Sequence, residues 1–174
     1  MGLKCYKSIL DVPENVDLAV IAVPAKIVLQ IADECGKKGV KGIIVISAGF
    51  SEIGKEGVFL ERQLVAICRK YGMRLQGPNC LGIINTRMGI NASFASATPT
   101  LGRVAFISQS GALGSAILNW ALENKIGFTS FISLGNEADL EAADFLEALG
   151  EDEETKVIAL YIEGVKNGKK FIEV

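Results

Sequence analysis

Val104-Ala105-Phe106-Ile107-Ser108-Gln109-Ser110-Gly111-Ala112-Leu113-Gly114 carries an apolar run straight into a serine- and glycine-rich turn, and helical periodicity follows. This order decides the fold class, because a buried apolar strand feeding a helix is the repeating unit of α/β proteins built on a parallel sheet. A helix N-terminus leaves several backbone N–H groups without partners, and its aligned peptide dipoles add about half a positive charge there. Ser108 and Ser110 bring hydroxyl donors and Gly111 permits close backbone approach, so Ser108 to Gly114 reads as a holder of a phosphate-like anion. A plain serine N-cap with a packing glycine explains the same letters equally well. The segment lacks the lysine of the Walker A pattern, and Ser108 removes the first glycine of G-x-S-x-G.

Working outward, the same alternation recurs on both sides. Residues 111–124 are predicted helical with Leu113, Ile117 and Trp120 inward, followed by a strand over 128–134, a helix over 139–149, a strand over 156–162 and a last helix starting near Lys166. Upstream, Asp17 to Val23 is a continuous apolar run ending at Pro24. Ile27, Val28, Ile31, Ala32 and Cys35 then mark one helix face, which Gly39 stops. A second buried strand is expected over 42–47, a helix over 57–71 with Leu60, Leu64, Ile67 and Cys68 inward, and a short strand over 73–77, giving βαβαβ. Residues 86–101 are small and polar without periodicity and read as an interdomain connection, dividing the chain into domains 1–97 and 98–174. Met1 to Ser8 opens without a glycine-rich turn before it, and Phe171-Ile172-Glu173-Val174 stops just inside an element. The first domain is therefore expected to be incomplete at its N-terminus and the second at its C-terminus.

Composition narrows the chemistry. The chain has 174 residues, 49% hydrophobic and 22% charged, which suits a folded core. A net charge of −2 offers no basic field for nucleic acid or an anionic membrane. The longest apolar run, Leu18 to Ala25, is too short to span a bilayer. None of Cys5, Cys35, Cys68 and Cys80 forms a C-x-x-C pair, and no signal peptide opens the chain, so a reducing cytoplasmic compartment is expected and zinc is not. Histidine is absent, which excludes Ser-His-Asp catalysis, an imidazole base and histidine metal sites within this chain.

Five further segments carry ambiguous chemistry. In Gly77-Pro78-Asn79-Cys80-Leu81-Gly82, Asn79 can bridge backbone segments or a ligand. Cys80 invites a nucleophile reading, but without a histidine or nearby lysine a buried apolar thiol is preferred. Val23-Pro24-Ala25 and Ser47-Ala48-Gly49 end adjacent parallel strands with small residues, as an extended ligand or a tight βα turn would equally require. Glu163, after the strand ending Ala159-Leu160-Tyr161-Ile162, is either a cleft carboxylate or a solvated loop acid, and Asn136 is equally open.

Together, Val-Pro-Ala, Ile-Ser-Ala-Gly-Phe, Gly-Pro-Asn-Cys-Leu-Gly, Ser-Gln-Ser-Gly-Ala-Leu-Gly, Ser-Leu-Gly-Asn and Tyr-Ile-Glu-Gly occur in this order. From Leu3 onward the chain resembles the α subunit of NDP-forming acyl-CoA synthetases, especially the acetate–CoA ligase (ADP-forming) type, with succinyl-CoA synthetase α a more distant relative. The resemblance implies a Rossmann-like CoA-binding domain followed by a flavodoxin-like domain, both three-layer with parallel sheets. It implies that acyl-CoA, phosphate and ADP interconvert with a small carboxylic acid, CoA and ATP through an acyl phosphate and a phosphohistidine. Pro24, Ala25, Ser47 and Gly49 match positions near CoA, and Asn79 and Cys80 match the segment beside the reaction centre. Ser110, Gly111 and Ala112 match the helix start that receives the phosphoryl group, and Glu163 matches the carboxylate that orients the histidine. ATP or ADP and Mg²⁺ would be held by an ATP-grasp partner, as a β subunit in a hetero-oligomer or as a fused domain in a homo-oligomer. Two features of the family are missing: its glycine-rich CoA loop would precede Met1, and its histidine would follow Val174. Two rival readings are a CoA-binding regulatory module of a protein lysine acetyltransferase and a non-catalytic CoA or anion binder.

Overall fold

The computed structural model describes Gly2 and residues 4–174. Met1 and Leu3, where the expected 1–97 domain and the family resemblance begin, lie outside the described residues. In the first domain, β1 (Leu18–Ile21), α1 (Ala25–Lys38), β2 (Gly42–Val45), α2 (Lys55–Tyr71) and β3 (Arg74–Gln76) alternate as the pattern requires. The three strands are parallel in the order β1-β2-β3. Ile43, Ile44 and Val45 of the central strand are all buried, which is why β2 is a continuous apolar run. Both helices pack into one hydrophobic cluster with Ile21, Ile43, Val45 and Leu75, and against each other. Gly39 and Gly72 close them with φ of 87° and 69°, where a side chain would be strained. Lys37 and Lys38, and Arg69 and Lys70, occupy the last turns and complement the helix dipoles.

The second domain comprises β4 (Gly82–Asn85), β5 (Ile90–Ser93), β6 (Leu101–Ser108), α3 (Gly111–Glu123), β7 (Phe128–Ser133), α4 (Ala142–Gly150), β8 (Val157–Tyr161) and α5 (Gly168–Glu173). Its sheet runs β5-β4-β7-β6-β8. The strands β7, β6 and β8 are parallel, whereas β4 pairs antiparallel with both β5 and β7. Helices cover both faces. Phe106 and Phe131 meet Leu118 and Ala121 of α3, while Ala105, Ile107 and Ile132 meet Ala142 and Leu149 of α4.

Two expectations need correction. The stretch 86–101, read as a connection, contains the second strand of a hairpin, so residues 82–93 belong to the second sheet and make it mixed. Helix α3 is also turned relative to the expected face: Gly114, Leu118 and Ala121 are buried, and Trp120 is 53% exposed. A Cβ at Gly114 would lie 2.9 Å from the Phe131 ring, so the helix meets the sheet through its glycine. Apolar residues on every side of α3 left periodicity unable to choose that face.

A polar seam locks the domains together. Asn136 N–H donates to the Pro78 carbonyl at 2.9 Å, Ala138 N–H to Gly77 at 2.9 Å and Leu140 N–H to Leu75 at 3.1 Å. Asp139 accepts from Leu75 N–H and from Arg74 Nε, both at 2.9 Å. The buried Gln76 donates to the Ser133 carbonyl at 2.8 Å.

Candidate functional site

The seam brings the carboxyl ends of both sheets around one cavity of about 670 Å³. Open α/β sheets bind ligands beyond these strand ends. Ile46, Ala48 and Glu52 line it from the first domain, and Asn79, Cys80 and Leu81 form its floor. Gln109, Gly111, Ala112, Ser115, Gly135, Asn136 and Glu163 line it from the second domain, with Phe94 at the side. Five expected site residues, Asn79, Cys80, Gly111, Ala112 and Glu163, thus share one cleft although their segments are distant in sequence.

The floor is built from Gly77-Pro78-Asn79-Cys80, with a cis peptide before Pro78 and left-handed φ values of 92° at Gly77 and 58° at Asn79. Asparagine tolerates that region better than most residues. Asn79 N–H donates to the Ser47 carbonyl at 3.0 Å, and the Cys80 thiol points to the Val45 carbonyl at 3.4 Å, so both are tied to the end of β2. Burial pushes the Cys80 thiol up to about 11. It is therefore a neutral wall at physiological pH. The Asn79 side-chain amide donates to Asn136 Oδ1 at 3.2 Å. Asn136 in turn donates to Glu52 at 2.7 Å and to Glu61 at 2.9 Å. Burial raises the Glu52 carboxyl, but bonds from Asn136 and the Gly49 N–H outweigh it and hold the group below its ordinary value.

At the start of α3 the two readings of the serine turn divide between residues. Ser110 is the N-cap, and its Oγ accepts from Leu113 N–H at 3.3 Å. Ser108 is fully buried and its hydroxyl donates to the Ser110 carbonyl at 2.8 Å. The expectation that Ser108 offers a donor to an anion is therefore corrected: its hydroxyl braces the turn. Gly111 and Ala112 line the cleft, and their amides lie in the first turn, where the helix supplies no partner.

Glu163 also lines the cleft, and Gln109 ties its backbone in place. Gln109 Oε1 accepts from Glu163 N–H, and from Gly164 N–H at 3.1 Å. Its Nε2 donates to the Gly164 carbonyl at 2.9 Å and to the Glu137 carboxylate. Glu137 is 5% exposed and its other oxygen accepts from Ala142 N–H at 2.8 Å. Sequence reading passed over Gln109, Glu137, Glu52 and Glu61. Only Gln109 gave a signal, by standing inside the serine motif.

A shallow groove of about 340 Å³ crosses the ends of β1 and β2, lined by Ala22, Val23, Pro24, Ile46, Ser47 and Ala48. Ile46 and Ala48 line the main cleft as well, so the two spaces are neighbours with a shared wall. Ser47 spends its hydroxyl on the chain: it donates to the Val23 carbonyl and accepts from Val23 N–H at 3.1 Å, fastening the strand ends. Ala25 begins α1, and Gly49, with φ of 106°, flanks it so closely that a Cβ there would lie 3.0 Å from the Ala25 Cβ.

Comparison with known proteins assigns both halves. Residues 1–86 match the CoA binding domain family, and residues 101–174 match the family described as succinyl-CoA ligase like flavodoxin domain. Each match gives its own part of the chain a domain family. Across the CoA-binding and flavodoxin domains together it is 55% identical over 173 residues to the α subunit of acetate–CoA ligase (ADP-forming) II from Pyrococcus furiosus, covering 99% of this chain and 38% of that protein. It is 53% identical over 174 residues to acetate–CoA ligase (ADP-forming) I from Archaeoglobus fulgidus, covering 100% of this chain and 25% of that protein. The chain thus spans well under half the length of these relatives. Among solved structures it superposes on a dinucleotide-forming acetyl-coenzyme A synthetase 1 from Ca. Korarchaeum cryptofilum in complex with phosphate and ADP, with a TM-score of 0.96, 46% identity and coverage of 99% of this chain and 37% of that one. Among the described residues, no helix is long and apolar enough to cross a membrane.

Proposed function

We propose that this chain is the CoA-binding and phosphoryl-receiving part of an ADP-forming acyl-CoA synthetase, which interconverts acyl-CoA, phosphate and ADP with a small carboxylic acid, CoA and ATP. One observation carries the reading: Gly111 and Ala112 at the start of α3, the Asn79–Cys80 floor and Glu163 line one cleft, which shares Ile46 and Ala48 with a groove across the ends of β1 and β2.

The groove along Pro24, Ser47 and Ala48 suits the extended arm of CoA, with Ala25 and Gly49 keeping its far side small. The arm would deliver the thioester beside Asn79. Cys80, held neutral, shapes the wall without competing as a nucleophile. A phosphate oxygen attacks the thioester carbonyl, the C–S bond breaks, and CoA leaves as the thiolate that then takes a proton. The Gly111 and Ala112 amides and the helix dipole hold the phosphoryl oxygens, and need no side-chain charge to do so. The acyl phosphate then passes its phosphoryl group to a histidine, releasing the carboxylate. This chain has no histidine, so that residue comes from outside it. Glu163 would orient the incoming imidazole by accepting a hydrogen bond from the nitrogen that is not phosphorylated.

The relative from P. furiosus is named as an α subunit, whereas that from A. fulgidus is matched over a smaller share of its length. Both facts support a partner present either as a separate subunit or fused to this part. We assign to that partner the nucleotide and Mg²⁺ site of an ATP-grasp domain, and place the enzyme in the reducing cytoplasm on its four free cysteines.

The test is Glu163→Gln in the full-length protein. We expect kcat to fall about a hundredfold or more, the range typical of losing a positioned proton-handling group, with the KM for CoA little changed. An unchanged kcat would remove Glu163 from the reaction.

A further inference from the structure

We propose that Gln109 is a positioning residue for Glu163, and that Glu137 sets which way the Gln109 amide faces. The inference rests on the reading of Glu163 as the carboxylate at the reaction centre, and goes beyond it by naming what holds that carboxylate in place.

Glu163 N–H and Gly164 N–H both point at Gln109 Oε1, which can only accept. The Gly164 carbonyl and the Glu137 carboxylate both face Nε2, which can only donate. Turning the amide over would set the Gln109 NH₂ against two N–H groups and its oxygen against a carbonyl and a carboxylate. Four contacts would become mismatched, so the orientation follows from chemistry.

Glu137 is itself anchored. It is 5% exposed and receives Ala142 N–H at 2.8 Å from the start of α4. The Lys166 ammonium donates to the Asn136 and Glu137 carbonyls at 2.6 and 2.8 Å. Burial pushes the Glu137 carboxyl above its ordinary value, and the Gln109 and Ala142 donors pull it back, so each partner supports the other. A continuous path therefore runs from the buried start of α4 through Glu137 and Gln109 to the backbone of Glu163. Gln109 N–H adds a further tie, donating to the Tyr161 carbonyl at 3.0 Å.

The experiment swaps the pair. Glu137→Gln puts an amide NH₂ against either Gln109 Nε2 or Ala142 N–H, so the group that fixes the Gln109 amide loses one of its two ties. Gln109→Glu keeps the acceptor for Glu163 and Gly164 but sets two carboxylates together. In the double variant the new amide at 137 accepts from Ala142 with its oxygen and donates to the carboxylate placed at 109, which again accepts from Glu163 and Gly164 N–H, so that only the Gly164 carbonyl is left without its donor. Amide hydrogen exchange at Glu163 and Gly164, read by NMR on this chain, is expected to speed up in each single variant, by up to about tenfold, the scale of one lost hydrogen bond. It is expected to return to within about twofold of the parent in the double variant, while the core amide of Leu64 stays unchanged throughout. Gln109→Ala, which removes the acceptor without a clash, should raise exchange at the same two amides even if a charged variant folds poorly. Unchanged exchange in Gln109→Ala, or a double variant worse than either single, would overturn the proposal. In the full-length protein kcat should follow the same fall and rescue. If Glu163→Gln leaves kcat intact while the exchange pattern holds, the catalytic reading fails and the positioning device stands.

Discussion

At the scale of single residues, local letters and distant partners carried different information. Ser110 is legible as a cap because its partner, Leu113 N–H, is three residues away. Gln109 is not, because the groups that occupy its amide lie 28 and 55 residues along the chain. Ser108 shows the opposite failure: a hydroxyl in a promising motif is consumed by its own turn. Cys80 offers a direct check at this scale. Burial pushes the thiols of Cys35, Cys68 and Cys80 up to about 11, 12 and 11, whereas Cys5 is exposed. Since the thiolate is the reactive form, brief alkylation of the native chain at pH 7.5 should modify Cys5 alone. Mass mapping that finds Cys80 labelled as fast as Cys5 would contradict its role as an inert wall.

At the scale of elements, the helices and strands of the first domain were readable because each signal was local: a two-face apolar run for β2 and glycines that close α1 and α2. The hairpin of β4 and β5 was missed because its strands are four residues each and β4 takes its register from β7, far along the chain. The face of α3 was misjudged because one glycine against Phe131 outweighs an apolar pattern without a clear stripe. The turn after β7 shows the same dependence on close approach. Gly135 has φ of 61°, and a Cβ there would lie 2.3 Å from the Pro78 carbonyl oxygen across the seam. Gly135→Ala adds left-handed strain to a backbone clash, and is expected to cost at least about 2 kcal/mol in chemical denaturation. A loss below about 0.5 kcal/mol would show that the seam yields more readily than these distances imply.

At the scale of the whole molecule, the seam decides how the cleft works. Backbone bonds from residues 136–140 to Leu75, Gly77 and Pro78, with Asp139 gripping Leu75 and Arg74, fix the two sheet edges against each other. The cleft is therefore pre-formed, and its groups wait at set distances. The α/β class was legible in the sequence, and so were five of the residues that line the cleft. Their meeting in one cavity was not, because it depends on this seam. The central claim is that the start of α3 receives a phosphoryl group inside that cavity. Titrating this chain with inorganic phosphate, followed by ¹⁵N amide shifts, tests it most directly. The account expects saturable shifts at Gly111 and Ala112, with smaller ones at Asn79 and Glu163 across the cleft. Shifts confined to surface lysines, with Gly111 and Ala112 unmoved at saturating phosphate, would contradict it.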